Sequence, residues 1–198
     1  MPPERMHLTA LEITHSLTDP EIHNIIAALG SSVIEQMTDY TFSHRARLIK
    51  PTVSYDGAAL ALSFLPAAGE GLPSPPTSTS SPRTKEHDSY TYHHLRRDLF
   101  VLASSTGVTI DSRYVVPSSH ITLARFLHQS DHDSPQKMER FLEGVEEMNA
   151  WLEKEVWGLV GEAEGGEWVV GQEKGLDCRE GRLWYGGGKT VRLGKGFE

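Results

Sequence analysis

Cysteine is almost absent: Cys178 stands alone in 198 residues, so no internal disulfide can form and the chain reads as one kept in a reducing compartment. Long apolar runs are missing too, and nothing approaches the roughly 20 residues that a membrane-crossing helix needs. The opening segment, MPPERMHLTALEITHS, has no apolar core of the kind a signal peptide carries. The expectation is a chain of the cytosol or nucleus with no membrane partner. Positive charge is also scarce, 19 Lys and Arg against 27 Asp and Glu, for a formal net charge of −8. Proteins that grip long nucleic acid draw their affinity from cations that neutralise phosphates. A long duplex partner is therefore excluded, whereas a small anionic substrate in a local basic pocket is not. The acid is concentrated in one stretch from Glu139 to Glu167, which leaves the rest of the surface closer to neutral.

What is present suits a folded chain. The hydrophobic fraction is 38% and the aromatic fraction 8%, at a length that supports one sizeable core, or two small lobes sharing one. Residues 5–15 read as a strand. Asp19, as N-cap, and Pro20 open a helix whose apolar face is Ile22, Ile25, Ile26 and Leu29, with Gly30 as its stop and a second helical piece through Val33, Ile34 and Met37. Residues 46–50 and 58–65 read as two strands around a turn near Asp56-Gly57. Residues 67–89 are dense in Pro, Ser, Thr and Gly, too poor in apolar surface to offset ordering, and read as a mobile surface loop. A helix over 90–105, a short strand near 113–116 and a strand over 119–127 follow. A long amphipathic helix spans about 135–160, carried by Met138, Phe141, Leu142, Val145, Met148, Leu152 and Val156. The tail gives a strand at 167–171 and a hairpin, GLDCREGRLWYGG, turning near Glu180-Gly181. The whole is expected to be one domain, 1–198.

Two short stretches look alike: Met6-His7-Leu8-Thr9-Ala10 and Ser119-His120-Ile121-Thr122-Leu123. In a strand, residues two apart share a face, so each segment presents an imidazole beside a hydroxyl while Leu8 or Ile121 turns inward. Phosphodiester cleavage uses that set of groups. One neutral imidazole accepts a proton from the attacking oxygen, and one imidazolium donates a proton to the leaving oxygen. The hydroxyls hold the charge on the non-bridging oxygens. The same spacing recurs at His87-Ser89, His128-Ser130 and His132-Ser134, but in polar loops. Only His7 and His120 lie in apolar, strand-like surroundings.

These elements resemble the HxT motifs of the two-histidine (2H) phosphoesterase superfamily, which includes the 2′-5′ RNA ligase and cyclic nucleotide phosphodiesterase families. The stretches MHLTALEITHS, ARLIKPTVSYDGAALALSF, YTYHHLRRDLF, DSRYVVPSSHITLARF and WVVGQEKGLDCREGRLWYGGG are similar to a fungal branch of RNA ligase/cyclic nucleotide phosphodiesterase-like proteins. The resemblance implies an α+β, bilobal fold with pseudo-two-fold symmetry, two antiparallel sheets with flanking helices around a central cleft. It implies acid/base roles for His7 and His120, and phosphate contacts for Thr9 and Thr122. The activity it implies is metal-independent hydrolysis of a cyclic phosphodiester, on a 2′,3′-cyclic nucleotide or a cyclic-phosphate RNA end, by a monomer without a cofactor. Two other readings use the same groups: a nucleotide or RNA-end binding module without turnover, and an RNA-end ligase or trimming nuclease.

Further residues have two readings each. Arg113 and Tyr114, just ahead of the second motif, hold phosphate or ribose, or serve the surface. Tyr92, at the start of a helix with His93, His94 and Arg96, is expected at the substrate. Trp184 and Tyr185 stack a base or fill the core. Strand alternation turns Arg125, three places after Thr122, away from the His120 face. Gly188-Lys189-Thr190 is no phosphate-binding loop, because Leu183 stands where that motif needs glycine. No metal site is expected.

Overall fold

Local capping sets the first helix of the structure, a computed structural model that describes residues 1–69, 85–111, 119–159, 166–181 and 187–197. Thr18 is its cap, one residue earlier than Asp19. The Thr18 N–H and hydroxyl both donate to the Glu21 carboxylate, at 2.8 and 2.7 Å. The acid three places on makes Thr18 the better cap. Helix α1 then runs from Asp19–Thr38, and Gly30 kinks it (φ 72°, ψ 154°) where a stop was expected.

Strands β1 (Arg47–Tyr55) and β2 (Ala59–Pro66) form a hairpin. Asp56 shapes its turn by accepting from the Ala58 and Ala59 N–H groups at 2.7 and 2.8 Å. β1 is longer than its apolar run because the register shifts between Ile49 and Thr52, a bulge that accommodates Pro51, which has no N–H to offer. Helix α2 (Tyr92–Ser104), strand β3 (Ser119–Arg125), helix α3 (Pro135–Glu155) and strand β4 (Glu167–Val169) follow. β3, β2, β1 and β4 make one antiparallel sheet in that order, curled into a half-barrel. β5 (Asp177–Glu180) and β6 (Lys189–Leu193) make a second. The chain is thus α+β, with three α-helices among the described residues.

Several expectations change here. Residues 5–15 form no regular strand; Leu8 alone enters an isolated bridge. β5 pairs with 189–193, and residues 182–186 of the expected hairpin lie outside the described residues. α3 ends at Glu155, short of 160. The ends of the Pro/Ser-rich stretch are fixed: Ala67 and Asp88 are buried, and Asp88 accepts from the buried Arg47 guanidinium and from the Gly69 N–H. The strand expected at 113–116 lies outside the described residues.

α2 buries Tyr92, Leu95 and Leu99, which pack with Ala46, Leu48 and Val170 under the sheet. A second cluster joins Leu29 and Ile34 of α1 to Ala103 of α2. α3 closes the outer edge of β1. There the Asn149 amide accepts from Val53 N–H at 2.7 Å and donates to Val53 C=O at 3.0 Å, supplying the ladder partners that the short β4 does not reach. No helix is long and apolar enough to cross a membrane among the described residues.

Candidate functional site

Leu8 and Ile121, the middle residues of the two HxT stretches, form an isolated antiparallel bridge. One residue forward on one strand then meets one residue back on the other, so His7 lies opposite Thr122 and Thr9 opposite His120. Opposed residues share a face and neighbours alternate. Both imidazoles and both hydroxyls therefore project from one face, while Leu8 packs against the core cluster that includes Tyr92 and Leu95. His7 and His120 are diagonal neighbours in this register, a relation that separates backbones by about 7–8 Å, and the His7 charge acts on His120. The face opens to solvent: His7 is exposed, and His120, Thr9 and Thr122 are partly exposed.

The His7 Nδ1 lies 3.0 Å from the Arg5 carbonyl oxygen. A carbonyl only accepts, so Nδ1 carries the hydrogen and Nε2 is left for the substrate. Burial pushes the His120 imidazole below its ordinary value, and the Arg96 charge adds to that. Asp56 opposes the shift, while Arg125 and His7 reinforce it. The His120 ring accordingly favours its neutral, proton-accepting form.

Arg125 belongs to this face, contrary to plain alternation. Ala61 pairs with Thr122, but Leu60 pairs with Ala124 and Ala59 with Arg125, so Leu123 is one extra residue in β3. That bulge reverses the alternation, and Arg125 comes to share a face with Ala59 and Ala61, the face of Thr122. No feature of a single sequence marks the bulge. Sequence reasoning also passed over Ser63, which pairs directly with His120, and Ser54, whose hydroxyl is 2.6 Å from that of Ser63.

Tyr92 is not a substrate contact. It is fully buried, and its hydroxyl donates to the Thr9 carbonyl at 2.9 Å, so it holds the first HxT segment from beneath. His94 is likewise occupied: its Nδ1 accepts from the Thr91 N–H at 3.1 Å and caps α2. Arg113, Tyr114, Trp184 and Tyr185 lie outside the described residues. A cavity of about 420 Å³ lined by Gln36, Asp39, Tyr40, Phe42, Ser43 and Lys195 includes none of the four motif residues. Among the described residues, no three or more His, Cys, Asp or Glu side chains converge as a metal site. The paired motifs, an open strip of sheet rather than a deep pocket, are the stronger candidate, because they bring two imidazoles and two hydroxyls to one face. No family model matches the chain, and neither a curated protein nor a solved structure matches it.

Proposed function

We propose that this protein is a two-histidine phosphodiesterase that opens a cyclic phosphodiester, a 2′,3′-cyclic nucleotide or the cyclic phosphate of an RNA end. The observation that carries the reading is the Leu8–Ile121 bridge, which sets two imidazoles and two hydroxyls on one solvent-facing surface. The bridge also relates the motifs locally by a two-fold, exchanging His7 and Thr122 with His120 and Thr9, and this supports a bilobal, pseudo-symmetric arrangement.

In this reading the phosphorus sits between the rings. His120, which favours its neutral form, accepts a proton from water as the water oxygen bonds to phosphorus. His7 donates a proton from Nε2 to the leaving ribose oxygen as its bond to phosphorus breaks. Thr9 and Thr122 donate to the non-bridging oxygens, and Arg125 offsets the charge that builds there. The imidazoles supply both proton transfers, so the reaction needs no metal. The substrate is a small nucleotide or RNA end, taken by a monomer in the cytosol or nucleus.

Turnover of 2′,3′-cyclic AMP in the presence of chelator, with the product followed by phosphorus NMR, tests the proposal. His7→Ala and His120→Ala should each lower kcat by about 10²–10⁴-fold while leaving the unfolding midpoint near that of the wild type. His7 is exposed and His120 partly exposed, so little packing is lost. Undiminished turnover in both variants would overturn the reading.

A further inference from the structure

The two halves of the quartet are not equivalent. His7 belongs to the outer segment, which is held to β3 by the Leu8–Ile121 bridge. His120 lies on β3, with Ser63 of β2 across from it on one side and, in the register of the Leu8–Ile121 bridge, Thr9 on the other. Adjacent strands are about 4.8 Å apart. A phosphate centred among His7, Thr9, His120 and Thr122 therefore leaves its His120 side facing β2. An in-line displacement runs along the diagonal from His120 to His7, which puts the attacking atom at the His120 end of that line, on the face that the paired Ser63 shares.

The Ser54 and Ser63 hydroxyls lie 2.6 Å apart, and either can donate to the other. In both directions Ser63 Oγ keeps a lone pair that can accept a further hydrogen from the open face. An attacking water has two hydrogens to place while its lone pair is aimed at phosphorus. One goes to His120 and the other needs an acceptor at the next cross-strand position.

We propose that Ser63, paired across the ladder with His120, holds the water that His120 activates. The assignment rests on the two-histidine reading above. The step balances: the water oxygen bonds to phosphorus, the bond from phosphorus to the leaving ribose oxygen breaks, His120 takes one water proton, and His7 donates one to the leaving oxygen. The second water hydrogen stays on the new phosphate hydroxyl. Ser63 is a positioning residue, neither nucleophile nor base.

The test uses the full chain with 2′,3′-cyclic AMP in buffer with and without added methanol. Ser63→Ala should lower kcat about tenfold with KM unchanged within twofold, a loss in the range expected for a misplaced nucleophile. It should also raise the ratio of methyl ester to hydrolysis product, because an alcohol has only one hydrogen to place and does not need the second acceptor. Ser63→Thr should restore both values, and Ser54→Ala should give a smaller change in the same direction. An unchanged kcat, or a lowered kcat with an unchanged product ratio, would overturn this assignment alone. Absence of turnover in the wild-type protein would overturn the two-histidine reading and this assignment with it.

Discussion

At the scale of single residues, the candidate chemistry depends on how charges around His120 are arranged. The acidic limb of a kcat/KM profile reports the base of the free enzyme. His120 must be neutral to act, and burial and Arg96 hold it below the ordinary imidazole value. The midpoint of that limb is therefore expected below about 6.5. Arg125→Gln removes a cation that lowers His120 and should move the midpoint up. Asp56→Asn removes an anion that raises it and should move the midpoint down, while the amide oxygen still accepts from the turn N–H groups. Shifts in the same direction would contradict this arrangement. Stability carries the same sign. The folded chain binds the His120 proton more weakly than the unfolded chain does, so the His120 contribution is complete above the unfolded value and is lost as pH falls below it. The motif residues were legible because alternation needs only a sequence. Arg125 was not, because one bulged residue, Leu123, reverses its direction and leaves no mark in composition.

At the scale of elements, α2 controls the site from behind. Its N-terminus carries Tyr92, whose hydroxyl anchors Thr9, and that terminus is capped by a histidine where glutamate or glutamine is usual. Because the Thr91 N–H can only donate, the His94 Nδ1 must accept. His94→Ala should cost about 1 kcal/mol in urea unfolding, as loss of a helix cap does, whereas His94→Glu should keep most of that stability. Equal losses in the two variants would show that the cap contributes nothing. The helix itself was readable from its apolar spacing. Tyr92 was misplaced because first-turn position says nothing of which way a side chain turns until the helix is docked. Residues 5–15 had the composition of a strand, yet only Leu8 found a ladder partner.

Across the whole molecule, distant contacts fix what local pattern cannot. Arg47 is buried, with Asp88 and Glu167 on its guanidinium at 2.5 and 2.8 Å. That cluster joins β1, the far end of the Pro/Ser-rich stretch and β4. Composition made the stretch look loose from end to end, since a partner so far away in sequence as Arg47 leaves no local sign. Asp88→Ala removes the carboxylate nearest the buried cation and should cost about 3–5 kcal/mol, measured by thermal or denaturant unfolding. A loss under about 1 kcal/mol would mean that water or Glu167 compensates fully.

The Leu8–Ile121 bridge and the Tyr92–Thr9 hydrogen bond tether the segment that brings His7 to the sheet, and the Met1 ammonium donates to the Leu123 carbonyl beside them. A strip with no regular ladder should peel away at a free-energy cost below that of melting the core. Inactivation by dilute urea should then precede the loss of helical circular dichroism, and Tyr92→Phe should widen the gap between the two curves. Coincident curves would instead join the tether to the cooperative unit. A peeling strip would give the protein an off state reached without unfolding, and anything that clasped the N-terminal segment to the sheet would act as its switch.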